Sequence, residues 1–324
     1  MRDVGLTLRC LLGVEPLTNP SPTPHLQAPP PEGMLSKIFL NEKGVRGVWR
    51  LLIYATFVAG LGFGGLIVLQ LLIGPTRAVF SLDYWFPYEA FCFTVVFGAA
   101  LIMAQIEGRS PGVYGLPLRG AFGKLFWQGS LMGLLEVSAL IGLIAAFGGY
   151  SFGDIALHGR ELLRWGMMWA VLFVFVGLFE EFLFRGYTQY TLAESVGFWP
   201  AAIVLSLLFG RVHLNNPGEN WVGVAGVVTI GLVFAFALRR TGNLWLVVGW
   251  HASFDFGETF LYSVPNSGIV FQGHLSNATL HGPDWLTGGS VGPEGSVFGF
   301  VTMGILAIAI HFLFPPKQPE PAPK

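Results

Sequence analysis

From Leu51 to Ile73, 23 consecutive residues carry no Asp, Glu, Lys or Arg. A helix of that length rises roughly 35 Å, enough to cross the ~30 Å hydrocarbon core of a bilayer. A helix that is apolar all round has no face to show to water, so it belongs in a protein core or in lipid. Composition decides between these. Of 324 residues 53% are hydrophobic and 11% charged, against ~25% charged in soluble domains, and the mean hydropathy is +0.61. Too little charge is present to cover a water-facing surface, and a soluble enzyme is ruled out. The 44 glycines suit helices that approach closely in lipid through small residues. Cys10 lies in a polar tail and Cys92 in an apolar run, so neither a disulfide framework nor a cysteine metal site is expected. The formal net charge of −1 carries no information about nucleic acid, and no nucleic-acid partner is expected.

Eight segments approach spanning length, at roughly 49–74, 85–106, 122–147, 162–192, 198–214, 221–239, 243–262 and 296–314. The fold class expected is all-α, a multi-pass membrane bundle of about eight transmembrane helices. The fifth segment is short, and the fourth is long and charged near its middle. Residues 1–45 are rich in Pro, including Pro29-Pro30-Pro31, and read as a disordered cytosolic tail. Residues 316–324 read as a second, short cytosolic tail. Met34 stands as an alternative start to Met1. Basic residues are retained on the cytosolic side of short loops. With both termini inside, 14 of the 18 Lys and Arg residues fall on the cytosolic side and four, Arg77, Arg160, Arg164 and Arg211, outside. The stretch from Ser263 to Gly295 holds no Lys or Arg and is placed outside, its Gly, Pro and Asn content arguing against regular structure. The expected location is an integral position in a bacterial inner or plasma membrane, with lipid as a constant partner.

Ionisable groups are costly inside membrane helices, and they face interior cavities where they pair or do chemistry. Here they gather in three segments: Phe179-Glu180-Glu181-Phe182-Leu183-Phe184-Arg185, Phe209-Gly210-Arg211-Val212-His213 and Trp250-His251-Ala252-Ser253-Phe254-Asp255. Glu181 and Arg185 are four apart and share a helix face, which favours an ion pair. Glu180 is rotated ~100° from Glu181 and is free to point elsewhere. His251 and Asp255 are also four apart, so the carboxylate can orient the imidazole, and Glu258 continues their stripe. Counting from the turn between the fourth and fifth segments, placed at Ala193 to Pro200, Glu180 and His213 each lie 13 residues away, about 20 Å in. They meet at one level. His251 lies ~12 Å past Asn243. Glu136 and His311 have no sequence partners and are assigned packing or interfacial roles, and Arg211 a helix-end contact.

The patterns Glu-Glu-x-x-x-Arg, Phe-x-x-x-His and His-x-x-x-Asn/Asp, in that order on membrane helices, resemble the CPBP family of intramembrane proteases, the CAAX prenyl endopeptidase, ABI or lysostaphin-resistance-A-like family. The resemblance runs from about Arg160 to Ser263, the motif core of a protease domain that would occupy residues 46–315. It implies that Glu180 activates water, that Glu181, Arg185 and Phe209 support it, and that His213, His251 and Asp255 complete the catalytic set. Asp255 stands where eukaryotic members have Asn. The expected substrate is a membrane-associated peptide or protein, prenylated and CAAX-like if the eukaryotic relatives are a guide.

Peptide hydrolysis needs a base for water, donors for the oxyanion and a proton for the leaving amine. A buried glutamate and two imidazoles can supply these. The cofactor is left unknown by the residues: Glu180, His213 and His251 are also a zinc ligand set, with Zn2+ holding water in the fourth place, should a metal be bound. Two other readings use the same residues. A proton-coupled transporter would use them as a relay and give pH-driven flux without cleavage products. A catalytically silent immunity or binding protein would tolerate alanine at both His213 and His251.

Overall fold

The computed structural model describes residues 39–41, 44–73 and 82–315. Nearly all of residues 1–45 and the whole of 316–324, the two expected tails, lie outside the described residues. Within the first, Leu40–Asn41 (β1) pairs antiparallel with Gly44–Val45 (β2). The membrane domain follows as α1 (Gly47–Ile73), α2 (Leu82–Glu107), α3 (Lys124–Ala146), α4 (Gly159–Arg185), α5 (Tyr187–Val196), α6 (Phe198–His213), α7 (Trp221–Thr241), α8 (Trp245–Phe256) and α9 (Val297–Leu313). The protein is an all-α membrane helix bundle. Among the described residues five stretches, in α1, α2, α3, α4 with α5, and α7, are long and apolar enough to cross a bilayer, while α6 and α9 are shorter apolar helices.

Two of the expected segments are not single α-helices. The long fourth segment breaks at Gly186, whose backbone leaves the helical region with ψ −120, and a Cβ there would collide with the carbonyl oxygen of Phe182. The seventh widens from α8 into a π-helical turn, Gly257–Leu261, and such turns re-aim the side chains they carry. Each irregularity lies within a few residues of a motif position.

Close approach of α3 to α8 is set by glycine. A Cβ on Gly129 would overlap the carbonyl oxygen of Leu246, one on Gly133 that of Trp250, and one on Gly249 that of Phe126. Small residues spaced four apart let two backbones touch where lipid offers no hydrophobic drive to associate. Above this seam Trp250 is fully buried and α4 contributes Trp169 and Phe182 to the interior.

The stretch after α8 is more ordered than its composition suggests. Thr279–Leu280 (β4) pairs antiparallel with Tyr150–Ser151 (β3), and a single helical turn spans Asp284–Thr287. Gly218 between α6 and α7 donates its N–H to the Gly268 carbonyl at 2.9 Å, and Ser290 Oγ donates to the Gly218 carbonyl at 2.7 Å. These bonds fasten the segment across the end of α6, where His213 sits. At the opposite end Arg50 of α1 holds Glu107 of α2 at 2.6 Å and Glu194 of α5 at 2.5 Å, and Tyr187 donates to Glu107 at 2.5 Å.

Replacing Gly133 by valine is expected to separate α3 from α8, at a cost of ~1–3 kcal/mol typical of overpacking, and to lower the thermal midpoint in detergent. Gly142→Ala on the same helix, where an added Cβ meets nothing within 4 Å, should leave the midpoint unchanged.

Candidate active site

The two adjacent carboxylates at the end of α4 have different surroundings. Glu181 has no exposed surface; its Oε1 accepts from His251 Nδ1 at 2.8 Å and lies 3.4 Å from Arg185 Nη1. Arg185 is itself 2% exposed, so this is a buried pair that also carries a histidine. Glu180 keeps 23% of its side chain exposed and brings Oε2 to 3.8 Å from His251 Nε2. That oxygen has no hydrogen-bond partner among the described residues. Asp255, one turn further along α8, places Oδ2 at 3.4 Å from the same nitrogen. Because a carboxylate accepts, the Nδ1 facing Glu181 carries hydrogen, and the ring is thereby oriented with Nε2 between Glu180 and Asp255.

His213 closes the last turn of α6. Its Nδ1 lies 2.8 Å from the Phe209 carbonyl, which can only accept, so Nδ1 donates and Nε2 is left uncommitted. Phe209 is 3% exposed and joins the parts: its ring is edge-on to His213 at 4.7 Å and to His251 at 6.5 Å, and the Arg185 guanidinium lies over it at 4.3 Å. A guanidinium over an aromatic face is a favourable cation–π contact. The motif positions Glu181, Arg185, Phe209, His213, His251 and Asp255 are thus one connected unit, with Glu180 beside it.

His213, His251 and Asp255 line a single cavity of about 50 Å³, space for a few water molecules. Sequence reasoning missed two of the groups that line it and a third close to the site. Glu136, expected to pack, lines the same cavity and accepts from Trp250 Nε1 at 2.6 Å. Its signal was present, a lone carboxylate inside an apolar helix. Glu294 lines the cavity from the segment after α8, where its Oε1 accepts from the Ser267 N–H at 2.6 Å; no periodicity marks such a position. Glu89 on α2 lies near enough to Glu180 and His251 to feel both charges. Glu258, in the π-turn, is fully buried near Asp255 and Glu294. His311 meets Arg240 at 2.6 Å.

Among the described residues, no group of three or more His, Cys, Asp or Glu side chains is arranged as a metal site. Nδ1 of each histidine faces a protein acceptor, which leaves Nε2 as the nitrogen a ligand would meet, and Nε2 of His251 faces two carboxylates.

Residues 162–257 match the family model described as type II CAAX prenyl endopeptidase Rce1-like. The matched region holds all seven motif residues and excludes Glu89, Glu136 and Glu294. No curated protein matches the chain.

Arg185→Met leaves the Glu181 charge buried with its cation removed, a change that costs ~3–5 kcal/mol in buried pairs. It should lower the melting midpoint by several degrees, whereas Arg211→Met, at an exposed position, should not. Glu294 gives a pH test. Burial, reinforced by Asp255 and Glu219, pushes its carboxyl up from 4.5 to about 8. The folded state therefore holds a proton that the unfolded state has released, and stability falls as pH rises between these values and levels above. Melting midpoints measured from pH 5 to 9 should decline over that window, with a shallower slope in Glu294→Gln.

Proposed function

From the match of residues 162–257 to the type II CAAX prenyl endopeptidase Rce1-like model, we propose that the protein is an intramembrane endopeptidase in which Glu180 activates water for attack on a peptide carbonyl. The observation that carries this reading is the placement of His251. One nitrogen is fixed on Glu181 at 2.8 Å and the other faces the unpartnered Oε2 of Glu180 at 3.8 Å. A base with a free oxygen, beside an oriented imidazole and a water-sized cavity, is the arrangement that hydrolysis requires.

In the proposed reaction Glu180 takes a proton as water adds to the carbonyl carbon. The developing oxyanion is met by the Nε2–H of His251 in its doubly protonated form, with His213 lining the same cavity. Glu180 then returns its proton to the departing amine as the C–N bond breaks, so the carboxylate is regenerated and one water is consumed. Glu181 and Arg185 act through His251 and Phe209 as positioning residues. Asp255 holds the His251 ring, a task that a neutral amide can share. Substrates are membrane-anchored peptides of the CAAX type, reaching the site from the cytosolic leaflet. The excess of basic residues on one side supports a topology with both termini in the cytosol.

The test is cleavage of a prenylated CAAX peptide by purified protein in nanodiscs. Removing a general base typically costs ~10²–10⁴ in rate, and Glu180→Gln should show a loss of that size with its melting midpoint preserved. Asp255→Asn should keep most of the activity and Asp255→Leu should lose it. Undiminished cleavage by Glu180→Gln would overturn the assignment.

A further inference from the structure

Glu89 is a carboxylate inside the apolar helix α2, outside the matched residues 162–257. Its Oε2 is buried and has no hydrogen-bond partner among the described residues. The rings on either side of it fix its height against α4. Phe86 meets Phe175 at 5.5 Å and Phe93 meets Phe182 at 6.3 Å. The seven-residue step from Phe86 to Phe93 is matched by the seven-residue step from Phe175 to Phe182, so α2 and α4 run in parallel register and Glu89 is level with Leu178. Glu180 stands two positions further on, a rise of ~3 Å. Phe86, Glu89 and Phe93 follow at steps of three and four and share the face of α2 that packs against α4.

Glu180 leaves α4 on the flank turned to α8, where its Oε2 lies 3.8 Å from His251 Nε2. That oxygen too is buried and unpartnered among the described residues, and Glu89 lies near enough to Glu180 and His251 to feel both charges. Two unpaired carboxyl oxygens from separate helices therefore stand at one height beside one imidazole. Leaving either of them dry is costly, and buried polar groups of this kind are met by ordered water or by a ligand. A water molecule has two hydrogens to give. A carboxyl group can accept one in either protonation state.

We infer that Glu89 is a further catalytic residue, a second holder of the attacking water, which gives one hydrogen to Glu180 and the other to Glu89 and turns a lone pair to the peptide carbonyl. The inference rests on the peptidase reading and adds a residue to its site. As the new C–O bond forms, Glu180 takes the first hydrogen as a proton. The second stays on the water oxygen, held by Glu89, and becomes the hydroxyl hydrogen of the tetrahedral adduct. Glu180 then returns its proton to the amine as the C–N bond breaks, and no further reactant is needed. Held by one acceptor, the water would swing about that single bond; acceptors on α2 and α4 together fix its orientation.

The experiment measures kcat and KM for a fluorogenic prenylated CAAX peptide with the full-length protein in nanodiscs. Misplacing a reacting atom by ~1 Å costs up to ~100-fold in rate, so Glu89→Ala should lower kcat by roughly ten- to a hundred-fold, with KM held within about two-fold because the substrate itself has lost no contact. Glu89→Leu, which refills the space, should show the same loss and keeps the test open if the alanine variant does not fold. Glu89→Gln retains an accepting oxygen and should keep most of the turnover. Adding Glu89→Ala to Glu180→Gln should cost little more than Glu180→Gln alone, since groups that act on one water fail as a unit. An undiminished kcat in Glu89→Ala, a loss confined to KM, or two losses that multiply in the double variant overturns the inference. Cleavage that is intact but indifferent to Glu89 is failure of this inference alone, whereas absent cleavage by the unsubstituted protein is failure of the peptidase reading.

Discussion

Glu181 has no surface open to solvent, and the bundle places both a guanidinium and an imidazole against it. An isolated carboxylate in that position would be prohibitively costly, so its partners cannot drift without a penalty that far exceeds an ordinary contact. The pair within α4 is a single contact at 3.4 Å and leaves Glu181 Oε2 and Arg185 Nη2 without partners among the described residues. By also taking His251 the carboxylate ties α4 to α8, and the two helices acquire a fixed rotation and height. That fixation is what gives its neighbour a purpose. Glu180, ~100° further round, is turned to where the other nitrogen of the same ring waits, so one glutamate defines the frame and the next is left with a free oxygen inside it.

Backbone irregularities do the aiming that regular helices cannot. An unbroken fourth helix would continue its stripe past Arg185; the break at Gly186 instead sends α5 toward α1 and α2, where Tyr187 and Glu194 are gripped by Glu107, Arg50 and Arg109. Likewise α8 is pressed against α3 through Gly133 and Gly249, which resists sliding along its axis, and the π-turn that follows holds the fully buried Glu258.

Much of this was legible in the sequence because it is local. Charge-free runs located the helices to within a few residues, and the four-residue spacings of Glu181 with Arg185, Phe209 with His213 and His251 with Asp255 are each realised as direct contacts. What was not legible depends on azimuth between helices distant in the chain. Seventy residues separate Glu181 from His251, and no spacing rule joins them; the level-counting that brought Glu180 to His213 says nothing about which way either faces. Glu136 was visible as an oddity but not as a cavity wall, since that follows from the α3–α8 seam. Glu294 was hidden altogether, because it lies in a segment without period whose order comes from bonds to Gly218 and Ser267 rather than from its own pattern.

The walls of the cavity carry both kinds of hydrogen-bonding group: Glu136, Asp255 and Glu294 bring carboxyl oxygens, and His213, His251, Trp250 and Ser267 bring donors. On the proposed reading, a segment that unwinds for cleavage exposes backbone N–H and C=O groups that have lost their helical partners. In hydrocarbon those groups would be left unsatisfied at several kcal/mol each. A chamber within the bundle that offers acceptors and donors together lowers that cost for both kinds of group.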